Sequence, residues 1–257
     1  MNDLEIFFNQ KDHKQIRKWQ HYFDVYDRYF SAYRGRPIHI LEIGVSDGGS
    51  LQMWKAYFGP QARIYGVDID PACKALEEPG IEIFIGSQTD KEFLRKIKSS
   101  IPQLDILIDD GGHTMRQQIV TFEELFGHVK SDGVYLIEDL HTSYWANYGG
   151  GSKRRGTFIE YSKYFIDQLN AFHTRQSALK ITDFTRSVDS LHYHDSILVI
   201  EKKHRTEPVN LTSGIPPIKT VVPKYHSPLK MKLIGLKDNF LIFMDNLVRV
   251  LNIRSRK

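Results

Sequence analysis

The sequence contains the segment Ile38-His39-Ile40-Leu41-Glu42-Ile43-Gly44-Val45-Ser46-Asp47-Gly48-Gly49-Ser50, in which an apolar run leads directly into a glycine-rich turn. The apolar run predicts a buried strand, and the residues after the turn predict a helix. Glycine adopts positive φ and has no Cβ, so a ligand can approach such a turn closely, and the first N-H groups of the helix are free to bind it. The segment therefore predicts a strand, loop and helix that cradle a nucleotide-like ligand.

The glycine spacing is not that of a dinucleotide-binding protein. That fingerprint reads Gly-x-Gly-x-x-Gly, whereas this loop reads Glu-x-Gly-x-x-x-Gly-Gly from Glu42 onward. A second apolar strand, 62–67, ends in Asp68-Ile69-Asp70. An acidic side chain at this place binds the ribose diol in open α/β sheets. We expect Asp68 to bind a ribose, with Asp70 behind it.

Two further apolar runs end in acidic residues. Residues 104–108 lead into Asp109 and Asp110, and residues 134–137 lead into Glu138 and Asp139. Parallel strands end at the same edge of a sheet, which is where open α/β folds bind ligands. Carboxylate oxygens are the ligands that magnesium prefers, so these strand ends predict a metal site, and His113 follows Asp110 by three residues.

The order of the predicted elements indicates the fold class. Strands alternate with helices up to residue 172, and this alternation predicts a parallel sheet with right-handed crossovers. Two final strands without a helix between them predict an antiparallel hairpin. The predicted strands are 38–43, 63–68, 81–85, 104–109, 133–138, 178–186 and 190–201, and the predicted helices of the core are 50–58, 90–99, 115–129 and 156–172.

Together these motifs resemble the class I S-adenosylmethionine-dependent methyltransferases, over about residues 13–203. The resemblance is greatest to the branch that contains macrolide-sugar O-methyltransferases (mycinamicin and macrocin type) and cephalosporin-hydroxylase-like proteins. It implies an α/β, Rossmann-like core with a seven-stranded, mostly parallel sheet, helices on both faces and a C-terminal antiparallel hairpin. The motifs that carry it are Leu41-Glu42-Ile43-Gly44-Val45, Gly66-Val67-Asp68-Ile69-Asp70, Asp109-Asp110-Gly111-Gly112-His113 and Ile137-Glu138-Asp139-Leu140-His141-Thr142-Ser143-Tyr144-Trp145.

The resemblance also implies roles for individual residues. Asp110, Glu138 and Asp139 correspond to the ligands of Mg²⁺ or another divalent cation, and His113, with Asp110, corresponds to the catalytic group that removes the acceptor's proton. Ser87 departs from the family, because many relatives have an aspartate there. The expected contacts to S-adenosylmethionine are Glu42, Gly44, Val45, Ser50, Asp68, Ile69, Ser87, Gln88 and Asp109, and the expected contacts to the substrate are His141, Tyr144 and Trp145.

These roles predict a metal-dependent O-methyltransferase. An aliphatic hydroxyl is a poor nucleophile, so a metal that lowers its pKa and an imidazole that takes its proton suit the transfer. The expected acceptor is a glycosyl group of a natural product or of a surface or lipid-linked polysaccharide. Two alternatives are a catechol-like small-molecule O-methyltransferase and an inactive S-adenosylmethionine-binding scaffold of a glycan-modifying complex.

Length and composition are those of one α/β core with appendages. The chain has 257 residues, 41% hydrophobic and 26% charged. Its single cysteine, Cys73, excludes an internal disulfide, and no apolar run reaches the roughly 18 residues of a membrane span. We expect a cytoplasmic protein.

We expect three regions along the chain. Residues 1–36 form an N-terminal helical cap, in which a helix over 11–33 presents an aromatic face to the sheet. Residues 37–203 form the methyltransferase core, in which residues 144–155, with three consecutive glycines, form a mobile lid. Residues 204–257 form a proline-containing linker and a basic amphipathic helix.

Positive charge is concentrated in this last region. Residues 202–257 hold 12 Lys and Arg against 3 Asp and Glu, a local charge of +9 in a chain of net +4. Such a helix suits either peripheral contact with the inner face of an anionic membrane, through residues 230–257, or packing in a homo-oligomer. Nucleic acid is not an expected partner, because the basic residues are spread through an apolar stripe. The stripe consists of Phe240, Phe243, Met244, Leu247, Val248 and Leu251.

Overall fold

The protein is described by a computed structural model, which covers residues 1–215 and 228–254. Its centre is a seven-stranded sheet with the strand order β3-β2-β1-β4-β5-β7-β6. Strands β1 to β5 run parallel, and β7 pairs antiparallel with both β5 and β6. The strands are β1 His39–Ile43, β2 Arg63–Asp68, β3 Ile81–Ile85, β4 Leu104–Asp109, β5 Val129–Ile137, β6 Val188–His194 and β7 Ile197–Lys202. This architecture confirms the predicted fold class.

Helices cover both faces of the sheet, and one apolar cluster lies on each side of it. The central strands read as continuous apolar runs because both of their faces are buried. Every residue of β4 is buried. The helices are α1 Asp3–Gln10, α2 Tyr22–Phe30, α3 Gly49–Phe58, α4 Lys91–Ser100, α5 Met115–Leu125, α6 Phe158–Leu169, α7 Asp183–Ser187 and α8 Pro228–Arg254.

The strand order places a crevice at the carboxyl ends of β1 and β4. The chain moves outward from β1 to β2 and β3, and then returns to the other side of β1 as β4. Crossover helices leave on opposite sides at such a switch point, so the loops diverge and leave room for a ligand. The loop after β1 and the acidic residues after β4 and β5 therefore lie at one edge.

The helix predicted over 11–33 is wrong in its first half. Only Tyr22–Phe30 is an α-helix, and residues 11–18 contain no helix or strand. Contacts with α3 hold this segment, because the Lys14 backbone N-H donates to Gln52 Oε1 at 3.0 Å. Trp19 belongs to the aromatic face predicted for this helix, but its side chain is 55% exposed and does not pack on the sheet. The helix α1, Asp3–Gln10, was not predicted.

The C-terminal hairpin is confirmed, but its predicted strands are misplaced. Residues 183–187 form α7, where Thr182 caps the first turn by accepting from the Thr185 backbone N-H. The predicted strand 190–201 is in fact both strands of the hairpin, divided at a turn in which Ser196 has φ of 64°. This turn was not predicted, because it is only two residues long and apolar or aromatic residues lie on both sides of it.

The predicted linker lies largely outside the described residues, which exclude 216–227 and 255–257. The predicted C-terminal helix is present as α8, and its Asp238 and Asn239 side chains accept hydrogen bonds from residues 176 and 178. Among the described residues, no helix is both long and apolar enough to cross a membrane. The division into three regions remains a prediction.

Candidate active site

The glycine loop lies against the end of β4. Gly44 has φ of +96°, and a Cβ at this position would lie 2.1 Å from the carbonyl oxygen of Asp110. Only glycine fits such a close backbone approach. The loop is held from the other side by Asp68, whose Oδ2 accepts the backbone N-H groups of Val45 at 2.9 Å and Ser46 at 3.0 Å.

Asp68 therefore holds the glycine loop, whereas its predicted contact with a ribose stays a prediction. Its Oδ1 also accepts the backbone N-H of Asp70 at 2.9 Å. Burial acts to raise the pKa of Asp68, but these backbone donors outweigh it and hold the pKa below its ordinary value. The side chain fixes the loop as an anion and still lines the cavity in front of it.

A cavity of about 450 Å³ opens at this edge of the sheet. Its wall includes seven of the nine residues predicted to contact the cofactor, together with residues 15–18 of the N-terminal segment. The seven are Gly44, Val45, Ser50, Asp68, Ile69, Ser87 and Gln88. The other two, Glu42 and Asp109, are buried and do not line the cavity, and their contact with the cofactor stays a prediction.

Glu42 and Asp109 instead position the residues of the wall. Glu42 Oε2 accepts from Ser50 Oγ at 2.7 Å, and burial raises the pKa of Glu42 to about 7. Asp109 Oδ1 accepts from Gln88 Nε2 at 3.2 Å, while Gln88 Oε1 accepts from the Gly112 backbone N-H at 2.8 Å. Burial likewise raises the pKa of Asp109 to about 7.

Asp110, His113 and Asp139 form a compact group on the cavity wall. Each offers one potential metal-ligand atom, and these atoms lie within 4.8 Å of one another. His113 Nε2 is 3.4 Å from Asp139 Oδ2 and 3.7 Å from Asp110 Oδ1. His113 and Asp139 both have φ of 54°, a conformation that is uncommon outside glycine and concentrated at functional sites.

Burial lowers the pKa of His113, although Asp110 and Asp139 oppose this shift. The imidazole is therefore neutral at physiological pH. A neutral imidazole can accept a proton, which is the task predicted for it.

Glu138 lies beside this compact group, and Asp110, Glu138 and Asp139 together form the acidic group at this edge of the sheet. The Glu138 carboxylate is buried and accepts from Lys18 Nζ at 2.9 and 3.1 Å, and from Tyr26 Oη at 2.7 Å. Lys18 Nζ also binds Asp110 and lies 3.8 Å from Glu42. Burial acts to lower the pKa of Lys18, but the surrounding carboxylates raise it well above its ordinary value.

The N-terminal residues that reach the acidic group were not predicted. Tyr22 Oη donates to Asp139 Oδ1 at 2.7 Å, and Tyr26 makes the equivalent bond to Glu138. Their hydroxyls were the available signal, because a tyrosine buried on a helix face needs a polar partner, whereas phenylalanine does not. Lys18 gave no comparable signal, since it follows the irregular segment 11–17.

The donor set fits a hard divalent cation in part. Asp110 and Asp139 offer carboxylate oxygens, which suit magnesium, and the acidic groups outnumber the one ammonium beside them. Glu138, which is bound by Lys18, is not among the three residues whose ligand atoms lie together. The predicted ligand Glu138 thus remains a prediction.

Two further cavities lie in this part of the molecule, and one of them adjoins the acidic group. A cavity of about 270 Å³ shares Lys18, Asp110 and Asp139 with the larger one. Another, of about 450 Å³, is lined by the predicted substrate residues His141 and Tyr144.

Trp145 does not fill the core. It is 47% exposed, and its ring meets that of His141 at 4.6 Å. In the predicted lid, residues 146–148 form a 3-10 turn and Arg154 Nη1 donates to the Gly150 carbonyl at 3.2 Å. The mobility of this segment remains a prediction.

The chain was compared with known proteins. No protein-family model matches it. It is 35% identical over 200 residues to 8-demethyl-8-(2-methoxy-alpha-L-rhamnosyl)-tetracenomycin-C 3'-O-methyltransferase of Streptomyces olivaceus, over 74% of this chain and 51% of the relative. It is also 35% identical over 202 residues to mycinamicin VI 2''-O-methyltransferase of Micromonospora griseorubida, over 74% of this chain and 49% of the relative.

A solved structure gives the same result. The MycE methyltransferase from the mycinamycin biosynthetic pathway, in complex with Mg, SAH and mycinamycin VI, matches with a TM-score of 0.74 and 31% identity. The match covers 85% of this chain and 57% of MycE. The matched region belongs to the macrolide-sugar O-methyltransferase family.

The family likeness agrees with the strand order and with the hairpin at the end of the sheet. The chain spans about half the length of the curated relatives it matches.

Proposed function

We propose that this protein transfers a methyl group from S-adenosylmethionine to a hydroxyl of a glycosyl group, with the help of magnesium or another divalent cation. One observation carries the proposal. Asp110, His113 and Asp139 converge on the wall of the cavity that the glycine loop forms. A relative with 35% identity is named as a 3'-O-methyltransferase of a rhamnosyl-tetracenomycin, which supports the same chemistry here.

The cofactor would occupy the cavity beside Gly44. Asp68, held in its charged form by backbone donors, is placed to accept a ribose hydroxyl. Val45 and Ile69 offer apolar surface, and the Gln88 amide holds the loop after β4 by accepting from the Gly112 backbone N-H. Methyl transfer is an in-line displacement, so alignment of donor and acceptor supplies much of the rate.

The acceptor would approach the acidic group from the smaller cavity. Asp110 and Asp139 would hold the divalent cation, because their oxygens face both cavities. When bound, magnesium orients neighbouring hydroxyls and lowers the pKa of the one to be methylated. His113 is neutral and lies beside both carboxylates, so it receives the proton at Nε2.

The acceptor class follows from the surface beside the acidic group. Tyr144 and Trp145 are exposed, and aromatic faces pack well on sugar rings. We therefore favour a glycosyl group of a natural product or of a surface or lipid-linked polysaccharide over a free diphenol.

Peripheral contact with the inner face of an anionic membrane is part of this proposal. The exposed residues Phe240 and Phe243 lie on α8, in the basic region of the chain. An exposed apolar stripe with positive charges suits an anionic lipid surface. A second copy of the helix, in a homo-oligomer, is the competing occupant.

Calorimetry with S-adenosylmethionine, with and without magnesium, tests the cofactor and metal parts of the proposal. Mass spectrometry of glycosylated acceptors then tests transfer by the mass gain of one methyl group. Absence of cofactor binding would disprove the proposal. Methylation of a free diphenol in preference to glycosides would favour the catechol-type alternative, and cofactor binding without transfer to any acceptor would favour an inactive scaffold.

A further inference from the structure

The Lys18 ammonium lies in the middle of the acidic group. Its side chain is 3% exposed, and it contacts carboxylates from the ends of two neighbouring strands, Asp110 after β4 and Glu138 after β5. Glu42, at the end of β1, lies 3.8 Å away on the same side. A cation from the N-terminal segment thus bridges the strand ends that are expected to bind a metal.

The ammonium and a divalent cation need the same partners. Both require carboxylate oxygens from Asp110, and a metal that also takes Glu138 must use oxygens that lie 2.9 and 3.1 Å from Lys18 Nζ. Buried carboxylates without a counter-ion are costly, so Lys18 stabilises Glu138 when no metal is present. A divalent cation would supply the same compensation with twice the charge.

The segment that carries Lys18 is irregular. Residues 11–18 have no helical or strand hydrogen bonds along the backbone. The segment is anchored upstream, where Lys14 Nζ binds Glu78 Oε1 at 2.7 Å, and downstream by α2. Lys18 lies between these anchors, and its own four-carbon side chain gives the ammonium further reach.

Lys18 also lies where two cavities adjoin the acidic group. It lines both the larger cavity and the smaller one, as Asp110 and Asp139 do. Trp19, the next residue, is oriented edge-on to His141, with 5.9 Å between ring centroids. Withdrawal of the Lys18 side chain would therefore change the wall of both cavities.

We propose that Lys18 is an intramolecular competitor of the divalent cation: its ammonium occupies the Asp110 and Glu138 carboxylates in the metal-free protein and is displaced when the metal binds. Metal binding thereby changes the wall that Lys18 contributes to both the cofactor cavity and the acceptor cavity. This inference rests on the proposed metal-dependent function. Lys18 was not expected at this site from the sequence.

Reactivity of the lysine amine tests the displacement directly in the wild-type chain. The protein is treated with formaldehyde and a borane reductant, with magnesium chloride or with sodium chloride of equal ionic strength, and methylation of each lysine is quantified by peptide mass spectrometry. We expect magnesium to raise the labelling of Lys18 about tenfold, because an ammonium released from a buried ion pair becomes accessible. Labelling of the exposed Lys91 should not change.

Calorimetric titration of the Lys18→Met variant with Mn²⁺ provides the second measurement. Without the competing ammonium, we expect binding on the order of tenfold tighter than in the wild type. Lys91→Met is the control, since it removes an exposed lysine that pairs with Glu123 and Glu124, outside the acidic group and outside the segment that carries Lys18. Its Mn²⁺ affinity should equal that of the wild type.

The outcomes separate this inference from the proposed function. If the wild type binds magnesium while Lys18 stays protected, or if Lys18→Met binds Mn²⁺ no more tightly than the wild type, Lys18 is a permanent counter-ion and the competition is disproved. If neither protein binds a divalent cation although both bind S-adenosylmethionine, the metal part of the proposed function fails, and the competition fails with it.

Discussion

His113 and Asp110 are neighbours at the acidic group, but the proposed function gives them different tasks. Asp110 contributes an oxygen to the metal, so Asp110→Asn should lose magnesium binding and turnover while S-adenosylmethionine affinity stays within about twofold. His113 accepts a proton, so His113→Gln should lower kcat by about 10² to 10⁴ and leave magnesium affinity intact. Kinetics and calorimetry on both variants check this.

The two variants should differ in magnesium affinity, which Asp110→Asn loses and His113→Gln keeps. His113 Nε2 lies within reach of both carboxylates and could itself be a metal ligand. Loss of magnesium affinity in His113→Gln would show that the imidazole is bound to the metal and cannot be the base. A large loss of cofactor affinity in Asp110→Asn would show that its carboxylate serves the cofactor instead.

Glu42 predicts a pH dependence of stability. Burial raises its pKa to about 7, so the folded state favours the protonated form. Protonated Glu42 therefore contributes to the free energy of unfolding. This contribution is fully present below the ordinary pKa of a glutamate and is lost as pH rises through about 7. Glu42→Gln should remove about 1 to 3 kcal/mol of the change in unfolding free energy between pH 5 and pH 8. Urea denaturation of both proteins at the two pH values measures this, and an unchanged difference would contradict it.

At the residue scale, the sequence predicted side chains that follow a clear strand and missed those that follow none. Asp110, His113 and Asp139 were found because each lies at or just after the end of an apolar run. Lys18 reaches the same place from an irregular segment, and its position depends on tertiary contacts that no local pattern encodes. Glu42 was placed on the cofactor, but its environment behind the cavity wall depends on packing.

The contact between the N-terminal segment and α3 depends on Gly49, the first residue of that helix. A Cβ at Gly49 would lie 2.2 Å from the Lys14 carbonyl oxygen and 2.4 Å from that of Gln15. Gly49→Ala must therefore push the segment away from the helix. We expect a loss of about 1 to 3 kcal/mol in unfolding free energy, and weaker S-adenosylmethionine binding, because residues 15–18 line the cavity.

Gly127 provides the matched control for this prediction. A Cβ there meets nothing within 4 Å, and its φ is not positive. Gly127→Ala should change the unfolding free energy by less than about 0.5 kcal/mol. Equal stability and equal cofactor affinity in both variants would mean that the segment does not depend on its contact with α3.

At the element scale, burial decided which predictions succeeded. The five parallel strands are buried on both faces, so they appear in the sequence as continuous apolar runs, and all five were located. The hairpin strands alternate and lie near the edge of the sheet, so their pattern is weaker, and a capped turn at Thr182 was mistaken for a strand. The N-terminal aromatic spacing likewise suggested a longer helix than the tertiary contacts permit.

On the scale of the whole molecule, the core and α8 contrast in what they bury. The core encloses its apolar side chains on both faces of the sheet, whereas described residues of α8 expose theirs. Leu233, Leu236, Phe240, Phe243 and Leu247 are exposed. Their spacing of three and four residues places them along one side of the helix. An apolar stripe of this length needs a partner surface.

The positive charge of the C-terminal region favours an anionic lipid surface as that partner. Residues 202–257 carry a local charge of +9, which opposes the parallel packing of two copies and attracts anionic headgroups. We expect the intact chain to float with vesicles that contain anionic lipid, and a truncation ending at Leu229 to remain unbound. Salt should weaken the binding, because each lysine or arginine near the surface contributes about 1 kcal/mol by a screened interaction. Neutral vesicles should recover much less protein.

Equal recovery of the intact and truncated chains would exclude the membrane role. If the truncated chain floats as well as the intact chain but sediments with a smaller oligomeric mass, a second copy of the chain covers the stripe.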